Sequence, residues 1–250
     1  MSSRLKKNLF ILAASLTSGI FYCDATHIVG GELNYKYLGN NDYEIRLTVY
    51  RDCFNGVPGF DSPAALGIFD VNNNLVNSIY MTYTGSIPLV PTINSPCLIP
   101  PTNVCYERTT YVEIINLPPL AGGYQLAYQR CCRNHTIVNI VNPGGAGATY
   151  YATIPDVSLI PVNSNPVFTN WPPTFICVDV PFTFDHSATD YEGDSLVYEL
   201  CDPLDGASQG NPMPQPPFNP PYFPVTWQPP YSPANIMGGV PLSINAQTGM

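Results

Sequence analysis

The chain has little positive charge. It contains nine Lys and Arg against 18 Asp and Glu, and no Lys or Arg follows Arg133. The net charge of −9 therefore arises in the part after Arg133, because residues 1–133 hold equal numbers of each sign. A surface of this kind repels the phosphate backbone, so we expect no nucleic acid partner.

Long amphipathic helical patterns are also missing, and charged residues make up only 11% of the chain. Proline (28), Gly (19) and Tyr (17) are abundant instead. This composition is typical of β-rich extracellular modules with many turns and argues against a helical bundle. The 250 residues suffice for one large domain or two smaller ones.

No constellation of a nucleophile with a base is visible. The short runs IVGG (residues 28–31) and GDS (residues 193–195) resemble pieces of serine proteases, but neither has the flanking residues that such enzymes carry. A catalytic triad needs a base hydrogen-bonded to its nucleophile, and nothing marks His135 or His186 for that role. We therefore expect a protein that is not an enzyme.

The N-terminus predicts export. Basic residues Arg4, Lys6 and Lys7 precede an apolar run over residues 9–21, and small residues follow near position 25. This pattern indicates a secretory signal peptide over residues 1–25, with a mature chain that starts near Thr26. The apolar run is too short for a spanning helix, so we expect no membrane span in the mature chain. The expected location is the cell surface or the extracellular space.

Cysteine usage agrees with export. Apart from Cys23, seven cysteines remain, which suits disulfides in an oxidising compartment, and no CxxC pair favours zinc. Strand parity allows a bridge between Cys53 and Cys132 and places Cys131 outward. Two further bridges are candidates, Cys97 with Cys105 and Cys177 with Cys201. One thiol is left over.

Alternating apolar residues predict a β-sandwich in the first half of the mature chain, residues 26–160. A hairpin is expected over residues 32–38 and 43–49, joined by the turn at Gly39–Asp42. Further strands are predicted at residues 66–71, 75–83, 109–115, 124–132, 135–141 and 149–154.

A proline-rich junction over residues 161–173 is predicted to lead into a second domain, residues 174–250. Short strands are expected there at residues 175–179, 181–184, 195–201 and 242–244. The fold class predicted for the whole chain is all-β, with two consecutive Ig-like β-sandwich domains. A sandwich that ends at Met250 has too few strands to close, so we expect further modules of the same polypeptide after it.

The stretch from Phe182 to Asp205 holds seven of the 18 acidic residues. Oxygen ligands that alternate around Gly193 suit a hard cation such as Ca²⁺. The candidate calcium ligands are Asp185, Asp190, Glu192 and Asp194. The alternative is a solvated acidic turn, because the spacing is not that of an EF-hand loop.

From Pro212 to Pro233, ten of the 22 residues are proline, and this composition favours extended polyproline II conformation. One interpretation is a long loop that lies over the sandwich. The other is an aromatic contact surface for a surface glycan or a protein ligand. Its candidate residues are Phe218, Tyr222, Phe223, Trp227 and Tyr231.

The residues also carry a family resemblance. The run SATDYEGDSLVY (residues 187–198), with LSI at residues 242–244, resembles cadherin-like and PKD-like modules of the immunoglobulin type. The runs THIVGGEL (26–33), YRDC (50–53) and CCRN (131–134) resemble the start of large Bacteroidota surface proteins. Those proteins are of the gliding-motility-associated kind that the type IX system secretes.

The resemblance implies a non-catalytic extracellular module of a bacterial cell-surface protein, either an adhesin or a structural stalk. Fold alone does not establish this, since sandwiches host many functions. The alternative is a set of ancillary or carbohydrate-binding domains that belong to a secreted enzyme.

Overall fold

The chain folds almost entirely as β-structure. The computed structural model describes residues 27–56, 58–90, 99, 101–177, 179–239 and 241–250. The strands are β1 (Ile28–Gly39), β2 (Asp42–Asp52), β3 (Ala64–Phe69), β4 (Leu75–Met81), β5 (Ile87–Pro88), β6 (Tyr106–Asn116), β7 (Tyr124–Cys131), β8 (Gly147–Ile154), β9 (Val167–Phe168) and β10 (Ala188–Thr189). One short 3-10 helix spans Pro233–Asn235. The predicted signal peptide lies outside the described residues.

Two four-stranded antiparallel sheets form the body of the fold. Sheet A has the order β1-β2-β6-β5, and sheet B has the order β4-β3-β7-β8. The predicted hairpin is confirmed, because β1 and β2 pair along their length with Tyr35 opposite Ile45. Asn40 and Asn41 make its turn with φ of 53° and 64°, a conformation that Asn tolerates better than most residues.

The core lies between the two sheets. Sheet A contributes Ile45, Leu47 and Tyr111, and sheet B contributes Leu66 and Leu126, all of them fully buried. In β2 and β3 these core residues come from alternate positions, as the period of two of a strand requires. This alternation confirms the sandwich prediction for the first half.

The outer face of sheet B is covered as well. All six residues of β3 are buried, which includes Ala65 and Gly67 on the side away from the core. A side chain at Gly67 would approach Pro217, and Phe218 N–H donates to Gln129 Oε1 on β7 at 2.8 Å. The proline-rich segment therefore lies over the sandwich, where small side chains allow its close approach.

Five of the six further predicted strands are confirmed as β3, β4, β6, β7 and β8, with shifted ends. The strand expected at residues 135–141 is wrong. Asn134 begins a turn there, with its Oδ1 accepting the Thr136 N–H at 3.1 Å. Only Ile140 bridges to another strand-like residue, Trp227. Val141 N–H donates to Thr226 O, and Gln228 N–H donates to Asn139 O, but these bonds do not extend into a strand ladder.

The second half is less regular. Among its described residues, the strands are β9 and β10, which pair over two residues each. None of the four strands predicted within residues 174–250 is formed in the described part, so the second Ig-like domain stays a prediction. Several backbone bonds join this half to the sandwich, such as Thr149 N–H to Leu204 O at 3.2 Å and Val141 N–H to Thr226 O at 2.8 Å. The division at residues 161–173 likewise stays a prediction.

Candidate functional site

Three runs far apart in sequence meet at one end of the sandwich. The N–H groups of His27 and Ile28 both donate to the carbonyl of Cys132, at 3.2 and 3.1 Å. Asp52 N–H donates to the His27 carbonyl at 2.9 Å, and Asn134 Nδ2 donates to Asp52 Oδ2 at 2.9 Å. We call this the motif junction, because it joins the runs THIVGGEL, YRDC and CCRN.

Two disulfides lie at the motif junction, and their pairing differs from the prediction. Cys53 is bonded to Cys105, because β2 and β6 are neighbours and bring the end of one beside the start of the other. Cys132 is bonded to the adjacent Cys131 instead of Cys53. Cys131 was predicted to face outward, but it is fully buried. The proline-rich segment lies over it, and the Cys131 N–H donates to the carbonyl of Pro212 in that segment at 2.9 Å.

Neither of the other two predicted disulfides, Cys97 with Cys105 and Cys177 with Cys201, is formed. The bridge between Cys97 and Cys105 is excluded by the bond from Cys105 to Cys53, and Cys97 lies outside the described residues. The bridge between Cys177 and Cys201 is wrong, because Cys201 is a free, exposed thiol while Cys177 is disulfide-bonded. The strand expected at residues 195–201 is not formed, so no register brings those two residues together.

His27 is a buried imidazole at the motif junction. It is 1% exposed, and no hydrogen bond within the described chain reaches its Nδ1. Burial, reinforced by the positive charges of Arg130 and Arg51, lowers the pKa of His27 to about 3. The imidazole is therefore neutral at neutral pH.

A buried ion pair lies inside the sandwich. Arg130 Nε contacts Asp61 Oδ1 at 2.9 Å, and Tyr128 donates its hydroxyl to Asp61 Oδ2 at 2.8 Å. Burial raises the pKa of Tyr128 well above its usual value, and the Asp61 charge adds to this, so the hydroxyl keeps its proton. Tyr111 donates to the Asp61 carbonyl at 2.7 Å. Asp61 was not predicted from the sequence. Arg130 shares the parity of Leu126 and Tyr128 in β7, and a buried guanidinium of this kind needs a buried counter-charge.

The four predicted calcium ligands are distributed among separate contacts. Asp185 accepts the Ser187 N–H at 3.0 Å, in a turn that precedes β10. Glu192 accepts the N–H and the hydroxyl of Ser164, at 3.0 and 2.9 Å. Among the described residues, no group of three or more His, Cys, Asp or Glu side chains is placed to hold a metal ion. Calcium binding stays a prediction.

The acidic loop, residues 190–194, is docked on β1. Ser164, which Glu192 holds, accepts the Tyr37 N–H at 3.1 Å. The ammonium of Lys36 lies 4.2 Å from the centroid of the Tyr191 ring, a cation–π contact. Asp190 Oδ1 accepts the N–H groups of Glu192 and Asp194, at 2.9 and 3.0 Å, and so shapes the loop.

An open cleft of about 400 Å³ lies beside this loop. Its lining residues belong to β1, to β8, to the segment over residues 163–166, to the loop itself and to the residues just after it: Tyr35, Tyr151, Ala152, Thr153, Asn163, Ser164, Asn165, Pro166, Asp190, Asp194 and Leu196. Burial raises the pKa of Tyr35 to about 12, and the carboxylates of Glu192 and Asp190 contribute to this shift. The cleft was not foreseen, because its walls are far apart in sequence.

The five predicted aromatic residues do not share one environment. Phe218 and Phe223 are exposed, at 48% and 70%. Tyr222 packs edge-on against Tyr151, and Trp227 donates its Nε1–H to Asp202 Oδ1 at 2.7 Å while it packs on a small apolar cluster. Tyr231 contributes a turn, in which its N–H donates to the Gln228 carbonyl.

In the described part of the chain, no helix has the length and apolar character that a membrane span requires. Comparisons with protein-family models, with curated proteins and with solved structures gave no match.

Proposed function

We propose that this chain is an exported, non-catalytic module of a bacterial cell-surface protein, an adhesin or a structural stalk of the gliding-motility-associated kind. It belongs, in this proposal, to a longer polypeptide that the type IX system secretes. Its partners are a surface glycan or a protein ligand together with the further domains of that polypeptide.

The observation that carries the proposal is the motif junction. His27, Asp52 and Asn134 are buried there, hydrogen bonds join the three resembling runs to one another, and the disulfide Cys53–Cys105 joins the end of β2 to the start of β6. Groups used in this way support a role of these runs in holding the sandwich together outside the cell, where disulfides persist.

The test has two parts. Mass spectrometry of the exported protein should give an N-terminus near Thr26 and intact disulfides, and purified residues 26–250 should turn over no ester, peptide or glycoside above buffer. Finding every cysteine as a free thiol would refute the export half of the proposal. Turnover that Ser195→Ala or Glu192→Gln abolishes would refute the non-catalytic half.

A second candidate is an ancillary carbohydrate-binding domain of a secreted enzyme. The exposed rings of Phe218 and Phe223 favour it, because solvent-accessible aromatic side chains can stack on sugar rings. Affinity electrophoresis in soluble polysaccharides should then show retardation that Phe223→Ala abolishes. Tyr80→Ala, at an exposed aromatic residue of β4, is the matched control.

A further inference from the structure

We propose that the open edge of strand β6 binds an extended strand of a partner protein, in which a basic residue lies between two apolar residues. The inference rests on the proposed function and deepens it, because it names a protein segment as the ligand of this module. The residues whose backbone faces that edge are Thr110, Val112 and Ile114, and we call them the β6 edge.

Alternate residues of β6 turn their backbone groups toward opposite neighbours. Leu117 N–H donates to Asn41 O at 2.8 Å, and in an antiparallel ladder the residues that exchange bonds with one neighbour recur at every second position. Tyr111 and Glu113 therefore bond to β2, with which β6 pairs without a register shift. The even-numbered residues face the side of β5, and the two residues of β5 extend the pairing no further than Arg108.

Within the described chain, no hydrogen bond uses the backbone groups of the β6 edge. The other edge strands have partners at this kind of position. Tyr37 N–H of β1 donates to Ser164 Oγ at 3.1 Å, and Thr149 N–H of β8 donates to Leu204 O at 3.2 Å. On β4, the side chain of the preceding residue accepts the Ser78 N–H at 2.8 Å. The β6 edge thus keeps a row of donors and acceptors that an added strand can pair with.

The side chains of the β6 edge are apolar where they are most exposed. Val112 is 42% exposed and Ile114 is 57% exposed, whereas Tyr111 between the two sheets is fully buried. Val112 and Ile114 therefore lie on the outer face of sheet A, two residues apart on one side of the strand. Main-chain bonds with side-chain contacts at alternate positions are the way in which a sheet edge recognises an extended peptide. Apolar residues of the partner strand would cover these two side chains.

Glu113 supplies the charge preference. It lies between the two apolar residues and has the parity of the inward-facing Tyr111, but it is only half-buried. No ion pair of the described chain includes it. In an added antiparallel strand, the residue opposite Glu113 belongs to a pair without mutual backbone bonds, in which the side chains come closest. A basic residue at that position is favoured and an acidic one is disfavoured.

A second copy of this chain suits the edge less well. Two copies paired edge to edge would bring two Glu113 carboxylates into one short ladder, where like charges destabilise the pairing. An inward-pointing charge at a sheet edge commonly opposes such self-association. The charge of Glu113 therefore favours a partner strand with a basic residue over a copy of β6.

The first measurement is backbone amide exchange of residues 26–250 without a ligand, followed by NMR. The amides of the β6 edge should exchange at least about tenfold faster than those of Tyr111 and Glu113, which bond to β2. Neighbours on the same strand are thus the control for one another. Slow exchange at all five amides would show that the edge is already covered and would overturn the inference.

The second measurement titrates the protein with the peptide acetyl-Thr-Val-Lys-Val-Thr-amide. With Lys opposite Glu113, its two Val residues pair with Val112 and Ile114. The peptide should shift the amide resonances of the β6 edge and slow their exchange. N-methylation of both Val residues should abolish binding, because their N–H groups donate to β6. N-methylation of the Lys residue should leave binding intact, because that N–H faces away from β6.

The charge preference is tested from both sides of the pair. Replacement of Lys by Glu in the peptide should weaken binding by about threefold to fivefold. Glu113→Gln should remove that difference, and Glu113→Lys should reverse it. The control Glu199→Lys changes an exposed carboxylate of the second half and should leave the preference for the Lys peptide unchanged. If the Lys variant at position 113 does not fold, the Gln variant decides the question.

Several results of the titration would overturn the inference. They are no shift at the β6 edge, equal binding of the peptide N-methylated at Val, equal binding of the Glu peptide to the natural chain, or a dimer in sedimentation whose contacts protect the β6 edge. Cleavage of the peptide, seen by mass spectrometry, would instead refute the non-catalytic function. The two failures are thus distinguishable.

Discussion

Burial of His27 predicts a stability that falls as the pH is lowered below neutrality. Its pKa is about 3 in the folded chain, against an ordinary value of 6.5. The unfolded chain therefore binds a proton that the folded chain does not, in the window between these two values. Stability is fully present above pH 6.5 and decreases as the pH falls through the window.

The size of the effect follows from the linkage relation. Each pH unit inside the window is worth about 1.4 kcal/mol, so the free energy of unfolding should be about 2 kcal/mol smaller at pH 5 than at pH 7. Two carboxylates act in the opposite direction, because burial raises the pKa of Asp61 and of Glu32 and the folded chain then holds their protons more tightly than the unfolded chain does. The pKa of Asp52 is lowered, since hydrogen bonds from Asn55, Phe54 and Asn134 outweigh its burial, so Asp52 titrates below this range. The contribution of His27 is therefore the part of the difference that its removal abolishes.

Urea unfolding at pH 7 and pH 5 measures the difference. His27→Leu removes the titrating group, keeps a buried apolar side chain and should abolish most of the difference. His135→Gln removes an exposed imidazole and should leave it in place. If His27→Leu does not fold, the imidazole resonances of His27 in the natural chain decide the question. Titration of that ring near pH 6.5, or a full pH difference in the Leu variant, would refute the argument.

Three further predictions concern the core, the disulfides and the acidic loop. Asp61→Asn leaves the Arg130 guanidinium buried without its counter-charge, so the free energy of unfolding should fall by about 3–5 kcal/mol. Urea unfolding measures this loss, and Asp179→Asn, which changes an exposed carboxylate, is the control. Replacing Cys53 and Cys105 by Ala opens a link across a sequence separation of 52. Chain entropy sets that cost at about 4 kcal/mol, and a calorimetric melting temperature that does not change would contradict it. If the loop binds Ca²⁺ as the sequence predicts, millimolar Ca²⁺ should raise the melting temperature by more than NaCl of matched ionic strength does. At a hundredfold excess over the dissociation constant the free energy of unfolding should increase by about 2.7 kcal/mol. Asp190→Asn with Asp194→Asn should remove that response.

The all-β character and the strands of the first half could be predicted from the sequence, because they depend on local pattern. In β2, Tyr43, Ile45, Leu47 and Val49 alternate with polar residues, and period-two alternation of this kind describes a half-buried strand whatever it pairs with. The hairpin turn at residues 39–42 is likewise local, since Gly and Asn accept positive φ.

Pairing across the sheets was decided by the tertiary structure. Cys53 and Cys132 share an inward parity, yet the partner of Cys53 is Cys105. The reason is that β2 lies beside β6 within sheet A, whereas Cys132 follows β7 of sheet B. Parity states which face a side chain occupies and contains no information about which strand is its neighbour.

The second half shows the same limit. Residues 195–201 have strand propensity, but the backbone bond from Tyr198 N–H to Ala246 O, at 2.9 Å, does not extend into a ladder, and no strand forms there in the described chain. The sequence by itself determined the acidic loop as a concentration of charge. Only the tertiary structure placed Glu192 against Ser164 and brought Asp190 and Asp194 to a cleft with Tyr35 and Tyr151, because that cleft joins segments that are distant in the sequence.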